Sequence, residues 1–247
     1  MTGLALAHGR ILILENLRVP IAVISAGLFP ALSLLFFVVP FGFGDDAVAA
    51  TTAVVQLVVF AVMNSFLFTF GVGVANDREL AWDPYLRTLP ADAGPRIAGR
   101  LMTGAAFAVV AVVPVVAVGA LLTSATAGPA QLAAGLVALV VAGLPFLLGG
   151  LAVGYSLPVK AALPVTQLIF FPIAFGGGLF LPPEVFPGWL QAASTVLPSR
   201  GARDLVVWAV VGTPPGTVAL AALAAWIAVT AVLARWAYRR DEGRRFH

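Results

Sequence analysis

Charge is what this sequence has least of. Only 10% of its 247 residues are Asp, Glu, Lys or Arg, 61% are hydrophobic, and mean hydropathy is +1.02. A soluble domain of this size needs far more charge to cover its surface. Cysteine is absent, which excludes a disulfide framework and any thiolate metal site. The two histidines, His8 and His247, lie near the two ends, so no metal ligand set or catalytic site is expected. The single lysine, Lys160, follows Pro-Val, and no Gly-x-x-x-x-Gly-Lys-Ser/Thr loop exists. The chain therefore cannot cradle ATP phosphates in that way. Ionisable residues of the kind that relay protons or ions at mid-membrane are almost missing from the apolar stretches, which argues against a proton- or sodium-coupled transporter. Neither the last-span lysine of a retinal-type opsin nor the Ser–His or paired-Asp site of an intramembrane protease is found.

What charge there is falls into clusters. No charged residue occurs from Pro20 to Gly44, Ala47 to Asn76, Leu101 to Val159, Ala161 to Pro183 or Leu205 to Ala234. A bilayer core takes roughly 20 apolar residues as a helix. These gaps predict an all-α integral membrane protein, a single transmembrane domain of six spans at about 20–42, 48–75, 98–123, 130–155, 161–181 and 215–236. The apolar run after Arg18 is too long for a cleavable signal and reads as a retained first span. Residues 2–18 set His8, Glu15 and Arg18 near one side of a helical wheel and Leu6, Ile13 and Leu17 near the other, as in an interfacial helix; a plain continuation of the first span fits as well. Residues 237–247 form a basic tail. Of the fourteen Lys and Arg residues, all but Arg200 and Arg203 fall on one side. By the positive-inside rule both termini are expected in the cytoplasm, with Asp45, Asp46 and Glu184 facing outward. The basic residues flank spans and form no patch, so no nucleic-acid partner is expected.

Two segments outside the spans carry information. In the loop after span two, Asp83 is a good N-cap, Pro84 suits the first helical position and Pro90 stops the helix. Tyr85 and Leu89 share a face, with Leu86 beside them. This short helix is either a docking peg for a partner's groove or part of a loop lying back on the lipid headgroups. The outward segment Leu181–Thr213 is too long for a simple turn and rich in Pro and Gly. Trp189, Ala193, Val196 and Leu197 recur at helical spacing. A second short helix is expected after Pro198, with Ser199 as N-cap. Both read as interfacial or re-entrant helices anchored by Trp189 and Trp208. They form either a lid on an outer mouth, with Pro187, Trp189, Leu190 and Pro198 as its gate, or a hairpin resting on the membrane.

Arg78-Glu79, then Tyr85-Leu86-Arg87-Thr88-Leu89-Pro90-Ala91 and Gly99-Arg100, together with Phe180-Leu-Pro-Pro-Glu-Val-Phe-Pro-Gly-Trp-Leu190 and Leu197-Pro198, resemble the membrane subunits of the type-2 ABC exporter family. Where that family often has Gly-Thr after the acidic start, this chain has Trp82-Asp83. The resemblance implies alternating access in a dimer of permeases, identical or homologous, driven by separate ABC ATPase subunits that hold the ATP and Mg. It implies a coupling role for Arg78, Glu79, Asp83, Pro84, Tyr85, Leu86, Arg87, Leu89 and Pro90. Glu79 and Arg87 would make polar contacts to the ATPase, and Tyr85, Leu86 and Leu89 would fill its groove.

Polar residues in the spans are few. Asn64 and Gln167 either hydrogen-bond between helices or line a pathway with Phe66, Phe68, Phe170 and Phe171. Such a lining suits a hydrophobic or amphipathic small molecule, a drug or antibiotic. A lipid or glycan–lipid cargo is the alternative, and a non-transporting membrane scaffold is the alternative of another class. Gly150-x-x-x-Gly154 and Gly176–Gly178 allow close helix approach, within one subunit or between two.

Overall fold

The computed structural model describes residues 20–40, 45–80 and 93–243, together with Arg10 and Leu14. The described residues are helical and contain no strand. The elements are α1 (Pro20–Phe37), α2 (Ala47–Glu79), α3 (Ala93–Leu122), α4 (Pro129–Ser156), α5 (Val159–Gly176), α6 (Gly188–Ser194), α7 (Pro198–Val211) and α8 (Thr217–Gly243), with a 3₁₀ turn at Pro183–Val185. Five helices, α2, α3, α4, α5 and α8, are long and apolar enough to cross a membrane. The sixth expected span, 20–42, is helical only to Phe37 and does not join that set among the described residues. Pro30, Pro114, Pro145, Pro164 and Pro172 lie inside helices that continue through them.

Helix α2 is the axle. Its most apolar window is 67% buried, against 17–33% for the other four, as expected of a helix apolar all round. Consecutive long helices alternate in direction. Gly104 of α3 meets Phe70 and Gly119 meets Val54, so α2 and α3 are antiparallel. Gly143 of α4 meets Phe66 and Gly154 meets Phe70 and Val74, so α2 and α4 are parallel. Glycine makes that second contact possible. A Cβ on Gly154 would stand 2.5 Å from the Phe70 carbonyl oxygen, and one on Gly150 2.9 Å from that of Phe66. The Gly150-x-x-x-Gly154 step thus serves packing within this chain. Where it presses, α2 takes a π turn, Phe68–Gly73, a local widening often found at functional positions.

This arrangement leaves two distinct ends. One carries Glu79, Arg100, Tyr155, Val159 and Asp241; the other carries Asp46, Thr126, α6, α7 and the start of α8.

Candidate functional site

The last turn of α2 is the sequence Asp77-Arg78-Glu79, immediately before residues 81–92. Successive residues on a helix are about 100° apart, so three in a row face three different neighbours. Asp77 accepts at Oδ2 from Arg100 Nη2 of α3 at 3.0 Å, and Arg100 Nη1 donates to the Tyr155 hydroxyl of α4 at 3.0 Å. Arg78 Nη1 donates to the carbonyls of Gly154 (2.8 Å) and Leu157 (3.1 Å). These are orphan acceptors at the end of α4, where the helix dipole also favours a cation. Arg78 Nε donates to Asp241 Oδ1 of α8 at 3.0 Å, and Nη2 reaches the same oxygen. Glu79 accepts at Oε1 from the Val159 N–H at 3.0 Å, a carboxylate at the start of α5 where unpaired donors await it. Tyr155 meets Tyr238 edge-on at 5.1 Å between ring centres. We call this set the clasp. It ties the exit of α2 to α3, α4, α5 and α8, and its Asp77–Arg100 pair closes the base of the 81–92 segment. The Asp241 side chain is only 4% exposed, so its pairing with Arg78 is essential to its burial.

Among the residues that the sequence nominated for coupling, Arg78 and Glu79 lie in the clasp, bound to their own chain. Asp83, Pro84, Tyr85, Leu86, Arg87, Leu89 and Pro90 fall outside the described residues, as does almost all of the expected interfacial helix 2–18. Asp77, Tyr155 and Asp241 were not singled out, and Arg100 entered only with the Gly99-Arg100 of the resemblance. The hint for Arg100 was its place at the mouth of a charge-free run; nothing local announces Asp241.

The nominated pathway residues divide. Phe68 and Phe170 meet edge-on at 5.6 Å, and Phe171 adjoins Phe170 at 5.2 Å. The aromatic chain continues through Phe175 and Phe180 to Phe60 and Phe29. Phe171, Phe175 and Phe29 are largely exposed. Phe66 lies apart, against Gly143 of α4 and the Phe70 ring. Asn64 is half-buried and Gln167 exposed. Neither is hydrogen-bonded to another helix among the described residues. Gln56 is: with its carboxamide oxygen facing Arg203 of α7, it accepts from Nε at 2.8 Å and Nη2 at 2.9 Å.

At the opposite end, Pro187 caps α6, Trp189 is 73% exposed, Leu190 is half-buried and Pro198 is buried at the first position of α7. Leu197 is the N-cap of α7. Ser199, expected there, sits inside the helix and donates to the Ile173 carbonyl of α5 at 2.5 Å. Helix α7 leans inward along the bundle. Its end, Val210, meets Gly135 near the start of α4, whereas Arg203 meets Gln56 and Gly201 meets Leu223 of α8. The turn before it, at Val196, accepts from Trp226 Nε1 at 2.8 Å. Arg203, expected on the outward side in the second short helix, and Asp204 beside it are 6% and 7% exposed.

An apolar cleft of about 500 Å³ opens between α3 and α4 over Val55 and Val58 of α2, with Val206 of α7 at its edge. Such a volume suits a small organic molecule or an acyl chain.

A family model described as "ABC-2 type transporter" matches residues 10–211. The chain is 24% identical over 191 residues to the "Putative transport permease YvfS" of Bacillus subtilis (strain 168), covering 76% of each chain.

Proposed function

Because this chain belongs to the ABC-2 type transporter family and is a multi-pass membrane permease subunit, we propose that it exports a hydrophobic or amphipathic small molecule, driven by ATP hydrolysis on a separate ABC ATPase. The clasp carries this reading. A segment pushed by a partner moves spans only if its base is fixed to them. Here that base is joined through Asp77, Arg78 and Glu79 to the ends of α3, α4, α5 and α8. Residues 81–92 are then the coupling element, with Tyr85, Leu86 and Leu89 in the ATPase groove and Arg87 at its rim. The clasp end lies in the cytoplasm, because Arg78, Arg100, Lys160, Arg239 and Arg240 stand at that end of their helices; α1 is the sixth span and both termini are cytoplasmic. The exposed aromatic face of α5, continued by Phe29 of α1, lines the pathway against a second permease copy. Helices α6 and α7 dip into the outer leaflet as its lid.

A lipid or glycan–lipid cargo is the second reading. The run of stacked and partly exposed rings Phe171, Phe175 and Phe180, with centroids 6.5 and 4.5 Å apart, favours it, since such rings offer apolar faces along an open surface.

The test is affinity capture of the tagged chain from its native membrane. An ABC ATPase is expected to accompany it, and Leu86→Asp or Leu89→Asp is expected to abolish that complex while the chain remains inserted. An unaltered complex in both variants overturns the coupling role, and capture of no ATPase favours a membrane scaffold.

A further inference from the structure

Helix α7 carries more buried charge than a membrane protein tolerates without a use. Asp204 accepts from Arg203 Nη1 at 2.7 Å and from Arg200 Nε at 2.8 Å, and Arg200 Nη1 also reaches the Ser194 hydroxyl at 3.2 Å. Two guanidiniums thus share one buried carboxylate. The nearest further anion is Glu184 of the 3₁₀ turn, whose side chain is 65% exposed and whose Oε1 stands 3.9 Å from Arg203 Nη2. That is too long for a hydrogen bond. A guanidinium has five N–H donors. Arg203 uses Nε and one Nη2 hydrogen on Gln56 and one Nη1 hydrogen on Asp204. One hydrogen on each Nη remains without a partner among the described residues, on a side chain 93% buried.

We infer that Arg203 is a binding site for the anionic head of an amphiphile, with Glu184 as its tethered stand-in. The two open N–H groups form the fork that carboxylate and phosphate oxygens fit. Burial strengthens that attraction and penalises leaving the cluster uncompensated. Glu184 marks the approach, since an exposed side chain already comes within 3.9 Å of the guanidinium. An anionic head displaces Glu184 toward solvent while its chain lies along the apolar flank of the hairpin. The inference deepens the exporter reading by giving its substrate a charge, and takes its physiological meaning from that reading.

The experiment needs no ATPase, so it stands or falls separately. The full chain in neutral phosphatidylcholine nanodiscs is titrated with dodecyl phosphate, dodecyl maltoside and inorganic phosphate, following the fluorescence of Trp189 and Trp208 in the hairpin and of Trp226 bonded to it. Saturable binding of dodecyl phosphate roughly tenfold tighter than dodecyl maltoside is expected, the worth of one charged hydrogen bond. Arg203→Gln erases that preference. Glu184→Gln, a change on an exposed side chain that preserves folding, tightens dodecyl phosphate by roughly tenfold and leaves dodecyl maltoside unchanged. Equal affinity for the two amphiphiles, or an unaltered dodecyl phosphate affinity in Glu184→Gln, overturns the site. Inorganic phosphate that competes as well as dodecyl phosphate overturns its assignment to an amphiphile.

Discussion

The two ends of the bundle use the same chemistry over different distances along the chain. At the clasp end the ion pairs and caps join residues far apart in sequence: Asp77 with Arg100, Arg78 with Asp241, Glu79 with Val159. Each bond holds a different helix, and none survives if those helix ends separate. At the hairpin end the pairs are local, Arg200 with Asp204 and Arg203 with Asp204. Both partners of each pair ride on α7. Among the described residues, the side-chain hydrogen bonds from the hairpin to the spans are Ser199 to Ile173, Trp226 to Val196 and Arg203 to Gln56. Hydrogen bonds and ion pairs between helices fasten one end, whereas the other is fastened chiefly by packing: Ala202, Val206, Val207 and Val210 of α7 lie in the core, and Gly201 presses on Ala219 of α8.

The sharpest way to break this comparison is at the glycines. Gly154→Leu forces a side chain against the Phe70 and Gly71 carbonyls, 2.5 and 2.8 Å from the new Cβ, and backbone oxygens cannot swing aside. We expect a loss of about 3 kcal/mol or more in stability, read as a lowered melting temperature in detergent. Gly188→Ala in the hairpin, where a Cβ meets nothing within 4 Å, is the matched control and should change stability by less than about 0.5 kcal/mol. Equal losses in the two would refute a close α2–α4 contact and an open α6.

Next in size is the clasp itself. Asp241→Ala leaves the Arg78 guanidinium without its buried carboxylate, and breaking such a pair costs about 3–5 kcal/mol. Arg78 is itself 17% exposed, so the lower figure is expected. Arg78→Ala with Asp241→Ala should cost less than the sum of the single changes. Denaturant unfolding of the four proteins measures this, and strict additivity would mean that the two side chains do not work as a pair.

How much of this was legible before folding follows from what each device depends on. The helices were legible because charge-free runs and helix length are local properties, and the predicted 130–155 and observed Pro129–Ser156 nearly coincide. Gly150 and Gly154 were legible as a close-approach step, but the helix they approach was not, since that depends on which spans neighbour α4. Glu79 stood out by its place before the coupling segment, whereas its partner is a backbone N–H eighty positions on, which no side-chain pattern encodes. The burial of Arg203 was not legible, for a physical reason. A helix carrying Arg200, Arg203 and Asp204 reads as solvated, and its burial depends on Gln56 from another helix and on pairing along its own turn.

The smallest effect on stability falls at Trp189, and that smallness is what makes it informative. Its ring is 73% exposed, it stands on the seven-residue α6, and no described partner holds it. Trp189→Ala should therefore move the melting temperature very little, equivalent to less than about 0.5 kcal/mol. If the hairpin only rests on the membrane, transport should be equally indifferent. If it is a lid, the same variant should slow efflux of a fluorescent amphiphile from intact cells while the chain stays folded and bound to its ATPase. Cysteine pairs placed in 188–197 of two copies should then crosslink across the dimer in a manner that depends on ATP. Normal efflux together with absent crosslinking would remove the lid and leave the clasp untouched, because no bond described between the two ends obliges one to fail with the other.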